Sequence, residues 1–108
     1  MLQAKEVARR FGSIEQAIGQ AAQLCGKQQA MPMDLKDCIR QLEQQKSAMR
    51  QAIEAQDDAR IRQAVEQMES LGERAKKACG TAASLTPEIR SVVLKVHDEL
   101  SDLKHKLH

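Results

Sequence analysis

The stretch TPEIRSVVLKVHDELSDLKHKL, Thr86 to Leu107, reads as one amphipathic helix with a marked start. Thr86 suits an N-cap, Pro87 the first helical position, and Glu88 the positive end of the helix dipole. Ile89, Val93, Val96, Leu100, Leu103 and Leu107 alternate in steps of four and three, so they share one seam. Lys104, His105 and Lys106 set basic groups near the negative end. A helix with this stripe bare is not stable alone in water. It needs partner helices, and the rest of the chain supplies three.

Working back from it, Ile61, Ala64, Val65, Met68, Leu71, Ala75, Ala78 and Cys79 make a third helix, with Gly72 inside it and Gly80 as its expected cap. The second carries Leu35, Cys38, Ile39, Leu42, Met49, Ala52 and Ile53, with Asp34 as its expected N-cap. One helix through both stripes is excluded by phase. At about 100° per residue, Ile53 and Ile61 are roughly 80° apart on the wheel. A tight turn with Asp57 capping the next helix accounts for the jump. Ala4, Val7, Phe11, Ile14, Ile18, Ala21 and Cys25 form the first stripe. Ser13 and Gln16 could cap a break within it, but the unbroken phase favours one helix. Gly26 suits its cap, with Lys27 to Ala30 as an alternative extension, before Met31-Pro32-Met33 breaks the pattern.

The reading is therefore an all-α, four-helix up-down-up-down bundle made of two antiparallel αα-hairpins. It is one domain over residues 1–108, with helices at approximately 2–29, 34–56, 58–79 and 87–107. A shift of about 54 positions lays Cys25-Gly26 on Cys79-Gly80 and the first hairpin's stripes on the second's. Two copies of one hairpin would produce this, although any two hairpins of equal length align in a similar way.

Composition agrees with helices. Aromatics are 1% of the 108 residues, a single Phe11, so the core must be aliphatic. The net charge of +2 comes from 17 basic and 15 acidic residues, too even for a nucleic-acid-binding face. No run reaches membrane-spanning length, and Met1 to Glu6 has no signal-like apolar region. Cytoplasmic residence is the expectation, and a mature exported form expressed without its signal would read the same.

Chemistry-bearing residues are sparse. Cys25, Cys38 and Cys79 are brought to one end of an up-down bundle, where Met31 and Met33 also lie. Gathered sulfurs suit Cu(I), Zn(II) or a redox pair. Yet no CxxC occurs and no histidine is near, so small apolar side chains at tight helix ends are the favoured reading. His97 flanks the last stripe. Asp98, Asp102 and His105 share a helix face, as do His105 and His108, and solvation explains both sets more simply than a metal. No ExxH pair or phosphate loop is present. The expectation is a protein that is not an enzyme and holds no cofactor or metal. It would act by binding a protein partner or itself as a homodimer, with no nucleic acid and no membrane. Self-association is suggested by a first helix longer than its neighbours. The rival is a thiol redox or soft-metal binder built on Cys25, Cys38 and Cys79.

Overall fold

In the computed structural model, which describes residues 3–28, 31–81 and 85–107, the chain forms α1 (Ala4–Lys27), α2 (Met33–Glu54), α3 (Asp58–Thr81) and α4 (Pro87–Leu107). There is no strand among the described residues. The expected outer bounds of the first helix, residues 2 and 29, lie outside that set, as do Met1, Ala30, residues 82–84 of the α3–α4 link, and His108. Each helix lies against the two beside it, α1 with α2 and α4, α3 with α2 and α4, and among the described residues the diagonal backbones stay more than 8 Å apart. The body measures 41 × 21 × 18 Å, two helices wide in each short direction.

Local chemistry sets most of the ends. Ile89 N donates to Thr86 Oγ1 at 3.3 Å, and Arg60 N donates to Asp57 Oδ1 at 3.2 Å, so both expected caps are in place. The α2–α3 turn is a Schellman motif. Asp57 N reaches Ala52 O at 3.2 Å, and Gln56 N reaches Ile53 O at 3.0 Å. Gln56 takes the left-handed conformation this requires, with φ of 53°.

Other ends correct the expectation. Pro32, not Asp34, is the N-cap of α2, and its carbonyl accepts from Lys36 N at 3.1 Å. Asp34 falls in the first turn and turns outward to Arg74 Nη2 at 2.7 Å. Gly26 and Gly80 lie inside their helices, which end at Lys27 and Thr81. The chain leaves α1 through an extended Gln28, so no left-handed residue is needed there. Ser13 is interior to a single α1.

All four stripes face inward. One core cluster gathers Val7, Phe11, Ile14, Met49, Met68, Leu100 and Leu103 with their neighbours. The other gathers Cys25, Met31, Leu35, Cys38, Cys79, Ile89 and Val93 with theirs. Burying each large aliphatic side chain stabilises the fold by about 1.5–3 kcal/mol before entropy is counted. A void of about 10 Å³ between Ile18, Ala21, Ile39, Leu42, Ala75, Val93 and Val96 marks the seam between the clusters.

The first helix is longer than α2 and α4, which it touches, but no longer than α3. α1 and α3 both have 24 residues, and Val7 and Phe11 are enclosed by the bundle itself. The 54-residue offset does reappear in three dimensions. α1 and α3 start at residues 4 and 58, α2 and α4 at 33 and 87, each pair 54 apart.

Candidate functional site

The thiol end comes first, because topology makes it. Cys25 lies in the last turn of α1, Cys38 in the second turn of α2 and Cys79 near the end of α3, and all three are buried free thiols in one cluster. Burial pushes the Cys25 thiol up to about 11, helped by the nearby Cys79 charge and opposed by Lys36. Burial also raises Cys79, against Arg90, and raises Cys38, against Arg74. Such thiols stay protonated at neutral pH and make poor nucleophiles. The two methionines expected in the α1–α2 link part company, since Met33 is the first residue of α2. Met31 packs inside, while Met33 is 80% exposed and cannot join a sulfur set. Arg90 Nη1 donates to Cys79 O at 2.8 Å and tidies the carbonyl end of α3.

The surface set on α4 does not assemble. Asp98 Oδ1 turns to His97 Nδ1 at 2.9 Å. Asp102 Oδ2 pairs with Arg10 Nη1 at 3.3 Å and Lys106 Nζ at 3.4 Å, and His105 stays exposed. The pairing of His105 with His108 falls outside the described residues.

What does assemble is a group between α3 and α4. His97 is the one buried polar residue among those described. Its Nε2 lies 2.6 Å from Glu73 Oε2, and its Nδ1 faces Asp98. Glu69, one turn before Glu73, brings a carboxylate oxygen to the same place, and Glu69, Glu73 and His97 offer ligand atoms all within 4.8 Å of one another. Lys104 Nζ stands 3.5 Å from Glu69 Oε1. α3 presents Gly72 to the backbone of α4 at this point. A Cβ on Gly72 would lie 3.4 Å from His97 Cα and 3.5 Å from Leu100 Cδ1, ordinary contact distances, so the two helices pack closely there.

Electrostatics follow from that geometry. Burial opposes the charged ring, but hydrogen bonds to Asp98 and Glu73, with the Glu73 charge, outweigh burial and the repulsion from Lys76. His97 therefore titrates above its ordinary value. The His97 hydrogen bond holds the Glu73 carboxyl below the usual range, with Lys76 and Lys77 adding to it and desolvation opposing.

Comparison of the chain with protein-family models, with curated proteins and with solved structures returned no match. Among the described residues, no helix is long and apolar enough to cross a membrane.

Proposed function

We propose that this is a non-enzymatic helical bundle that acts by self-association, and that the α1/α4 groove is its contact surface. The observation that supports this is the groove itself, about 570 Å³ at the thiol end, with Leu24 and Val92 half-buried in it beside Pro87. Gln20, Gln23 and Ser91 rim it, and Glu88 is its one charged residue. A surface this near to neutral can meet its own copy across a two-fold axis without strong repulsion. Lys27, exposed three residues beyond Leu24, supplies the opposite charge to Glu88 at the same end of the bundle. A groove this small supports a weak dimer, not an obligate one.

The thiol reading has less behind it, since Cys25, Cys38 and Cys79 are buried and their thiols are pushed up. Sedimentation of the full chain from micromolar to near-millimolar concentration tests the proposal. The expected result is a concentration-dependent dimer that Leu24→Lys or Val92→Lys converts to monomer with unchanged helicity. A monomer at every concentration overturns self-association as the function.

A further inference from the structure

The group between α3 and α4 has the composition of a metal site, and its parts come from separate features of the sequence. Glu69 and Glu73 are four apart on α3, so their carboxylates lie one above the other on one helix face. His97 comes from α4 and is held from behind by Asp98, Nδ1 to Oδ1 at 2.9 Å. A carboxylate on the far nitrogen is the usual support of a ligating histidine, and an ion binding at Nε2 displaces the proton that Glu73 accepts in its absence. Asp98 is not one of the three converging residues, so it is an independent feature of the arrangement. The imidazole side chain is 11% exposed, whereas Glu73 is 43% exposed, so the group is anchored on one side and open to water on the other.

We infer that Glu69, Glu73 and His97 form a binding site for a divalent transition-metal ion, with Zn2+ as the reference ion. One nitrogen and two carboxylate oxygens are a donor set that Zn2+ accepts, with water in the fourth position. Bonds of about 2.0–2.2 Å place tetrahedral ligand atoms about 3.3 Å apart. The observed atoms lie within 4.8 Å of one another, so the proposed site closes them by a further ~1.5 Å or less. Two carboxylates balance the charge of the ion. Lys104, at 3.5 Å from Glu69, holds one of those charges and swings away on its flexible stem when the ion binds. The site pins α4 to α3 at mid-bundle and leaves the water-bearing face toward solvent.

The test is calorimetric titration of Zn2+ into the full chain after chelator treatment, with Co2+ as a spectroscopic stand-in. The expected result is one ion per chain and the visible absorption of tetrahedral Co2+ with nitrogen and oxygen donors. His97→Gln should abolish binding, and Glu69→Gln and Glu73→Gln should each weaken it strongly. Asp98→Asn should weaken it by about tenfold, the usual effect of removing a histidine's support. His105→Gln should leave it unchanged. Glu69 and Glu73 keep part of their side chains in water, so their variants remain readable if His97→Gln fails to fold. No binding, binding indifferent to all three ligand variants, or a thiolate charge-transfer band with Co2+ would show that the group is an ion pair only, and would overturn the inference.

Discussion

Arg50 lays its guanidinium over the ring of Phe11, 5.2 Å from the ring centroid, and its Nε donates to Glu15 Oε1 at 3.1 Å. One side chain of α2 thus covers the single phenylalanine of the chain and ties down the next turn of α1. The ion pair has a counterpart 54 positions later, where Lys104 of α4 meets Glu69 of α3 at 3.5 Å. Arg50→Ala should cost about 1–2 kcal/mol, from the cation–π contact and the lost cover over Phe11 more than from a partly exposed ion pair. Lys at position 50 should recover less than half, since it lacks the planar fork. Urea denaturation checks both, and an unchanged midpoint for the alanine variant would show that the contact is idle.

At the α2–α3 turn, Gln56 occupies a left-handed conformation that costs a non-glycine residue about 1–2 kcal/mol. Gln56→Gly should stabilise the protein by about 0.5–1 kcal/mol, a smaller gain because glycine also loosens the unfolded chain. The melting temperature should rise by a few degrees. A fall would mean that the Gln56 side chain makes a compensating contact.

The pH dependence of the His97 group runs in two directions. The folded state holds the His97 proton more tightly than the unfolded chain does, against burial and Lys76 and with Asp98 and Glu73. That stabilisation is complete below the unfolded histidine pKa and is lost as pH rises through the higher folded value. Glu73 is shifted down, so its share is present above the unfolded carboxyl pKa and is lost as pH falls through the lower folded value. In the presence of chelator, Glu73→Gln should therefore be most damaging between about pH 5 and 6.5 and less so on either side. Ring-nitrogen NMR of His97 gives the direct reading. A titration at or below the ordinary histidine value would contradict the hydrogen-bond geometry.

The three thiols should react slowly. Cys25, Cys38 and Cys79 are buried, so alkylation of the native protein has to wait for local opening. Cys25→Ala should cost about 0.5–1.5 kcal/mol, comparable to removing one buried methyl. Two thiols labelled together within seconds under native conditions would reverse this expectation and revive the redox reading.

Val96 sits between the two core clusters and is almost fully enclosed. Val96→Asp places an unpaired carboxylate there and should cost more than about 3 kcal/mol. Circular dichroism should show loss of the cooperative melt. A normal melting curve would mean that the seam is wetter than its packing suggests.

The fold was legible because the apolar spacing survives almost unbroken in every helix. Ile89 through Leu107 predict one face of α4, and that face is buried. The phase jump from Ile53 to Ile61 located the turn, and Asp57 and Thr86 behave as the caps their side chains suggest. The glycine rule misled at Gly26 and Gly80, because the one left-handed position among the described residues is a glutamine. Asp34 misled because Pro32 fixes the backbone first and leaves the carboxylate for Arg74. The His97 group was not legible. Glu69 and Glu73 stand four apart in plain view, but whether they face His97 depends on how α3 and α4 are rotated about their axes. The proximity of Gly72 to His97 was the available hint, and reading it required knowing that the two helices are neighbours.

The ring of four helices closes where Arg10 meets Asp102, near the start of α1 and the end of α4. A short linker could therefore join those ends while a new start was opened at the α2–α3 turn. Such a circular permutant would run α3, α4, α1, α2, with lengths of 24, 21, 24 and 22 residues where the native order has 24, 22, 24 and 21. The rearranged chain would repeat the original order of long and short helices, a long α-helix leading each hairpin.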